Sequence, residues 1–294
     1  MPEGPEVRTI VRQMNKNILG KEVIELLFAN DTENLLKNST RNKLKKQLIG
    51  THIKKVHRKG KYIDIEFSNE LHLVLHLLIT GRLSLLKSNK GGLPKYFRFG
   101  IKFEDDRILC LGDMRKWTKI EVLTKNERNA FKHFNDIGPD IYSKEFSIDR
   151  FLKILNSTQA IHSLLLDQKK MAGLGNIYAN ETLFTAKIHP KMKAKQIDKK
   201  RAGILFKEIK DIMDLALKEK GTTILPLLER NKAAVGWHTL DGKHGNFWKH
   251  VKIFQHETKP CPLCKTPIER VKIGGRSAFF CPTCQPEDNQ IKLL

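Results

Sequence analysis

The chain opens Met1-Pro2-Glu3-Gly4-Pro5-Glu6, two prolines, a glycine and two carboxylates crowded at one end. Two readings are open. In one, Pro5 takes the first position of a helix, where its missing N–H costs nothing, and the acids favour the helix's positive end. In the other, removal of Met1 turns Pro2 into a terminal secondary amine. Terminal amines have pKa values near ~8, so a usable fraction is unprotonated at neutral pH and can attack an aldehyde or sugar carbon to form an imine. Glu3 and Glu6 then stand beside the nucleophile as candidate proton donors and acceptors. Six residues do not separate the two readings.

Outward from this stretch, Val7, Ile10, Val11, Met14 and Ile18 follow helical spacing. That spacing predicts a helix from about Pro5 to Ile18, ending near Gly20, which would hold the terminus against a core. Strand patterns follow. Tyr62 to Phe67 alternates, Leu71 to Leu77 alternates with polar histidines, and Phe97, Phe99, Ile101 and Phe103 alternate with polar or small residues. Glu104 to Arg107 then makes a turn into Ile108 to Leu111. Short strands with turn signals between them predict a β-sandwich or barrel over 1–137.

The pattern changes at Gly138-Pro139-Asp140. Ile148, Phe151, Leu152 and Leu155 share a helical face, as do Leu205, Ile209, Ile212, Met213 and Ala216, and shorter helices fit Ile161 to Gln168 and Asn176 to Ala186. A helical domain is therefore expected over 138–228. Thr222 to Phe247 shows weak periodicity, and a loop of that length in a compact protein is usually functional or disordered. The segment 229–247 is set apart for that reason, with a small module over 248–287 and a frayed tail. The fold class is α+β.

With 294 residues the chain has room for two domains and a small module. Its 54 Lys+Arg against 32 Asp+Glu give +22, which points to a polyanionic partner, most often nucleic acid. Richness in Lys, Asn and Ile also follows from an AT-rich genome, so charge alone does not settle the partner. The start is acidic and lacks an apolar run, and Leu71 to Ile79 is interrupted by His72 and His76. No signal peptide and no membrane span are expected, and the chain is expected not to be secreted.

Of the five cysteines, Cys110 stands alone in an apolar stretch and reads as an inert buried thiol. Cys261-Pro-Leu-Cys264 and Cys281-Pro-Thr-Cys284 are CxxC pairs sixteen residues apart. In a chain with no export signal, disulfides are disfavoured and this spacing reads as a metal site. Four thiolates suit one structural Zn²⁺ on a two-stranded hairpin, with no position left for water.

Basic clusters lie at His57-Arg58-Lys59-Gly60-Lys61-Tyr62 and at Asp113-Met114-Arg115-Lys116-Trp117. Each is either a solvated charged loop or a phosphate contact, and an Arg beside an aromatic can also fill a gap in a base stack. Gly173-Leu174-Gly175-Asn176-Ile177-Tyr178 is not a dinucleotide loop, because Tyr178 stands at the third glycine position. Glycines before a helix N-terminus at Asn176 still make a phosphate cradle.

Taken in order, these motifs resemble the formamidopyrimidine-DNA glycosylase and endonuclease VIII family of base-excision repair enzymes. The resemblance rests on Pro2-Glu3-Gly4-Pro5-Glu6, Gly60-Lys61-Tyr62, Gly138-Pro139, Gly173 to Glu181, and the cysteine knuckles with Arg276, and so spans nearly the whole chain. It implies a β-sandwich domain, a helix-two-turns-helix domain and a zinc-finger hairpin, with double-stranded DNA carrying an oxidised base or abasic site bound between the domains by a monomer. It implies Pro2 as nucleophile at the sugar C1′, Glu3 protonating the opening ring, and Glu6 assisting proton traffic or positioning the intermediate. Lys61, Asn176, Arg276 and Lys116 would contact DNA, and Ile79, Arg115 and Trp117 would fill the void left by a flipped base, since such a base must leave the stack. Strand cutting by β- and δ-elimination would follow, in the cytoplasm of a bacterium or the nucleus of a eukaryote.

Three departures bear on the lesion. Ile79 stands where a methionine is common in the formamidopyrimidine branch, His162 where a lysine is common, and Trp117 where a phenylalanine is. Arg230 to His244 has the place and length of a loop closing over a flipped purine, whereas Gly4 and His244-Gly245 resemble the endonuclease VIII side. Two other classes of reading are a non-catalytic damaged-DNA binder, which has no need of Pro2, Glu3 and Lys61 together, and an RNA-binding zinc-ribbon protein.

Overall fold

The computed structural model describes residues 2–88, 91–224 and 236–287. The chain divides into two compact units, Met1–Asp136 with Glu219–Trp248, and Ile137–Lys218 with Lys249–Leu294. The return to the first unit at Glu219 comes earlier than the boundary expected at 228. Part of the segment set apart as 229–247 (229–235) lies outside the described residues. No helix among the described residues is long and apolar enough to cross a membrane.

In the first unit, helix α1 (Gly4–Asn17) starts after Glu3 in extended backbone, with Pro5 in its first turn. Val7, Ile10, Met14 and, just past its end, Ile18 are fully buried, as their spacing predicts. Truncating any of them to alanine would cost about 2–5 kcal/mol. Strands β1 (Val23–Phe28), β6 (Phe97–Phe103), β7 (Ile108–Asp113) and β5 (Gly81–Leu86) form one antiparallel sheet in that order. Strands β2 (Ile53–Lys59), β3 (Tyr62–Phe67), β4 (His72–His76) and β8 (Lys119–Leu123) form the other. Leu83, Phe99 and Leu111 of the first sheet and Ile63, Leu73 and Ile120 of the second lie in one core with α1, which makes the sandwich. Helix α2 (Arg41–Leu48) adds Leu44 and Leu48 to that core.

Trp237 and Leu240 join the same core, so the described part of Glu219–Trp248 is a strap of the sandwich and not a free loop. Its described stretches are bonded to one another, Thr223 Oγ1 donating to the Trp237 carbonyl at 2.7 Å and accepting from Gly245 N at 2.9 Å, and Asn246 N donating to the Glu219 carbonyl at 2.8 Å. The histidines of β4 depart from the alternation. His72 is buried, its Nδ1 2.7 Å from Asp64 Oδ1. The other Asp64 oxygen accepts from Arg128 Nε at 2.9 Å, on helix α3 (Lys125–Ala130), which the short α4 (Lys132–Asn135) follows. A buried carboxylate thus carries two partners and turns a nominally outward residue inward.

The second unit holds helices α5 (Ile148–Leu155), α6 (Ile161–Leu166), α7 (Asn176–Thr185) and α8 (Lys199–Lys218), with the hairpin β9 (Glu269–Ile273) and β10 (Arg276–Phe280). Helix α7 is buried from Ile177 to Phe184, polar residues included. Those polar groups dock the hairpin region. Asn180 Oδ1 accepts from Phe279 N at 2.6 Å, and the Glu181 carboxylate accepts from the backbone N–H groups of Lys252, Ile253 and Phe254 at 2.8–3.1 Å. Burial raises the Glu181 pKa, with those three donors opposing it. The strands run between the CxxC pairs, so the cysteines sit in turns at the open end of the hairpin, before β9 and after β10, and not on the strands themselves.

Candidate active site and nucleic-acid interface

At the chain's start the helix reading of the terminal stretch holds, with Pro5 in the first turn of α1. Pro2, Glu3 and Glu6 are all buried. Glu6, in the first turn of α1, accepts from Glu3 N at 2.8 Å through Oε2 and from Thr222 N at 2.7 Å through Oε1. Both oxygens are therefore engaged by backbone N–H groups, one beside Pro2 and one on the strap. Gly221 makes the approach possible. Its φ is +86°, and a Cβ there would lie 2.7 Å from Glu6 Oε1. Glu6 is built to hold the terminus still.

Lys61 is the second residue of the two-residue loop left by the Lys59↔Tyr62 register of β2 and β3. Gly60 precedes it with φ +57°, the sign a type II′ hairpin turn demands at its first central position. Next to Lys61, the His76 ring stacks on Tyr62 at 4.3 Å. Burial, and then the Lys61 charge, push His76 down to about 4, so at neutral pH the imidazole is uncharged.

Ile79, Arg115 and Trp117 are exposed on two loops of the first unit, and Asp113 ties those loops together. Its Oδ1 accepts from the Thr80 hydroxyl and from Arg115 N, and its Oδ2 from Trp117 N at 2.8 Å, Thr118 N at 2.7 Å and Thr118 Oγ1 at 2.8 Å. Burial alone would raise the Asp113 pKa, but the Thr80 and Thr118 bonds more than offset it and hold the carboxyl below its usual range. The Arg115 guanidinium lies 5.0 Å from the Trp117 ring centroid. Gly81 closes the junction, since a Cβ there would come within 2.4 Å of the Leu77 carbonyl oxygen. Lys116 points elsewhere, pairing with Asp31 at 2.5 Å.

In the second unit, Asn176 opens α7. Its Oδ1 lies 3.0 Å from His162 Nε2, and its Nδ2 donates to the Ser277 carbonyl at 3.1 Å. Arg276, at the start of β10, is exposed, and with Asn176, Gln255, Arg270 and Ser277 it lines a groove of about 370 Å³. The Sγ atoms of Cys261, Cys264, Cys281 and Cys284 all lie within 4.8 Å of one another, with pairs at 3.4, 3.5 and 3.9 Å. Four sulfurs bound at ~2.3 Å in a tetrahedron are about 3.8 Å apart, so the set fits one structural Zn²⁺, which would hold the hairpin folded. Burial pushes the lone Cys110 thiol up to about 12, in keeping with an inert residue.

Among the described residues, the structure gathers Pro2, Glu3 and Glu6 at one place, Ile79, Arg115 and Trp117 at another, and Asn176 with Arg276's strand at a third. It also brings in residues that the sequence reading gives no role of their own, Asp113, Asn180 and Glu181, and one outside every motif, Thr222. Asp113 had a local signal, an aspartate at a strand end before a turn with Thr118 close by. Thr222 had none, lying 216 residues from Glu6.

The formamidopyrimidine-DNA glycosylase N-terminal domain family matches residues 1–120, the formamidopyrimidine-DNA glycosylase H2TH domain family residues 137–226, and the zinc finger found in FPG and IleRS residues 259–286. Sandwich, helical unit and metal hairpin in that order define a class, the DNA glycosylases that carry a zinc finger. A formamidopyrimidine-DNA glycosylase of Protochlamydia amoebophila is 33% identical over 288 residues, 97% of this chain and 99% of its own. One of Desulforamulus reducens is 32% identical with the same coverage. The Lactococcus lactis Fpg solved with DNA containing an abasic site superposes with a TM-score of 0.85 at 28% identity, over 97% of this chain and all of that one. The chain belongs to the formamidopyrimidine-DNA glycosylase family.

Proposed function

We propose that this protein is a bifunctional base-excision repair enzyme, a DNA glycosylase and abasic-site lyase whose nucleophile is the Pro2 amine freed by removal of Met1. The observation that carries the reading is the clamp at the terminus. Glu6 accepts from Glu3 N with one carboxylate oxygen and from Thr222 N with the other, so the backbone next to Pro2 is tied to the strap and the amine is held where a flexible terminus would not be. A preplaced nucleophile recovers much of the entropy a bimolecular attack would lose.

The Pro2 nitrogen attacks C1′ of a flipped nucleotide. The C1′–N bond breaks, and the base leaves with the bonding pair and takes a proton. Glu3 protonates the ring oxygen as the C1′–O4′ bond opens, leaving an iminium. Loss of a C2′ proton then expels the 3′ phosphate, loss of a C4′ proton expels the 5′ phosphate, and water releases Pro2. Lys61, Asn176 and Arg276 contact the phosphates about the lesion, with Lys116 adding charge once its solvent-screened pair with Asp31 gives way. Ile79, Arg115 and Trp117 fill the emptied stack, on loops already joined by Asp113. The enzyme acts as a monomer on DNA, in the cytoplasm of a bacterial cell.

Formamidopyrimidines, 8-oxoguanine and abasic sites are the proposed substrates. The curated relatives are named for the first, and solved relatives hold 8-oxo-G and abasic-site DNA. One solved relative also holds an oxidised pyrimidine. Borohydride trapping on duplexes carrying 8-oxoguanine, formamidopyrimidine, thymine glycol, 5-hydroxyuracil or an abasic site tests both points. A covalent complex is expected with the first two and the abasic site, and Pro2→Gly or a retained Met1 should reduce it to background. Undiminished trapping by Pro2→Gly would place the nucleophile on another amine, and no trapping on any duplex would favour a non-catalytic binder.

A further inference from the structure

His162 is fully buried, yet only one of its ring nitrogens is used. Nε2 lies 3.0 Å from Asn176 Oδ1, while Nδ1 is buried with no hydrogen-bond partner among the described residues. The tautomer follows from the neighbours. The Ser277 carbonyl can only accept, so the Asn176 amide turns its Nδ2 to Ser277 and its Oδ1 to His162. Nε2 therefore carries the proton and Nδ1 is a bare lone pair. Burial, reinforced by the Arg276 charge, pushes the ring down to about 4.

A buried acceptor without a partner costs stability, and native proteins keep few of them. This one persists on a chain of contacts that ends next to Arg276. His162 holds the Asn176 amide, and that amide holds the backbone of Ser277, the residue after Arg276. The hairpin turn is pressed onto the same helix, since a Cβ on Gly274 would lie 2.8 Å from Ser163 Oγ. Asn180 Nδ2 adds a third constraint at 3.3 Å from Asn176 Oδ1. With one Nδ2 hydrogen on Ser277, the other remains for an anion.

We propose that His162, as its Nε2–H tautomer, is the positioning residue of a phosphate clamp formed by the Asn176 amide and the Arg276 guanidinium. The inference rests on the proposed DNA-binding role of Asn176 and Arg276. It differs from what a lysine would do at the same position. A lysine would bring its own charge to the DNA, whereas this imidazole brings none and acts only through Asn176.

The test uses the full-length, zinc-loaded protein and a duplex with a tetrahydrofuran abasic analogue. Asn176→Ala should raise Kd about tenfold, the equivalent of one lost hydrogen bond with its orientation. His162→Leu should come close to the same loss, and the double variant should bind no worse than Asn176→Ala. His162→Gln, whose side-chain amide nitrogen reaches where Nε2 stands, should recover most of the affinity, and the shorter His162→Asn should not. Trapping at saturating abasic DNA should stay within about twofold for the His162 variants.

Additive losses in the double variant, or equal losses for Gln and Leu, would overturn the positioning role while leaving the DNA contact of Asn176 intact. An unchanged Kd for Asn176→Ala would remove that contact and the clamp with it. Nitrogen-15 histidine spectra of the unsubstituted protein give an answer independent of variant folding: the Nε2-protonated tautomer is expected, and an Nδ1-protonated one would sink the proposal.

Discussion

Asp113 shows how much one side chain can organise. Five donors from two loops converge on its carboxylate, and without it the buried N–H groups of Trp117 and Thr118 would lose their acceptor. Asp113→Ala should therefore destabilise the protein by roughly 3 kcal/mol in urea unfolding, and Arg115 and Trp117 would lose their fixed presentation. Asp113→Asn should do little better, because its amide nitrogen would face donors. The sign of the pH effect follows from the direction of the shift. A carboxyl held below its usual pKa stabilises the fold at neutral pH, and this contribution fades as pH falls through the folded-state value. His162 and Glu6 illustrate the same economy: each acts by holding a neighbour's backbone or amide.

Among the elements, the β2–β3 hairpin presents Lys61, and Glu66 staples its far end. Lys54 Nζ at 2.8 Å and His57 Nε2 at 3.0 Å pull the Glu66 carboxyl down from 4.5 to about 2. Its contribution is complete above about pH 4.5 and is lost as pH falls toward 2. Glu66→Gln should flatten that limb of a Tm-against-pH curve and leave the curve above pH 5 merely lowered; an unchanged acid limb would show that the pair contributes nothing. At this scale much was legible in the sequence. Helix α1 buries the apolar face its spacing predicts, and the alternating runs at Tyr62 and Phe97 are strands. Helix α7 was legible only as a helix. Asn180 and Glu181 spoil its apolar periodicity, yet they are buried because they receive backbone N–H groups from distant segments. For the same reason His72 leaves the polar face that the alternation predicts for it, its partner Asp64 lying on the neighbouring strand. The strap looked like a loop because two anchors, Trp237 and Leu240, make no period.

For the whole molecule, the chain's path matters more than any local motif. It builds most of the sandwich, leaves to form the helical unit, and returns at Glu219–Trp248. Gly221→Ala is the sharpest probe of that return. The new methyl would meet Glu6 Oε1 at 2.7 Å in backbone of φ +86°, so borohydride trapping should fall about tenfold or more while DNA affinity changes little. Gly20→Ala is the control. It carries a similar strain at φ +74° but has nothing within 4 Å, and its trapping should match the unsubstituted protein. The return also fixes a timetable for biosynthesis. Glu6 leaves the ribosome more than two hundred residues before Thr222, whose N–H completes the bonding of its carboxylate. Until Thr222 has emerged, Glu6 Oε1 lacks that donor, so the terminus is less enclosed on a nascent chain than on a finished one. A nascent or prematurely terminated polypeptide thus carries its terminus without the second half of the Glu6 clamp.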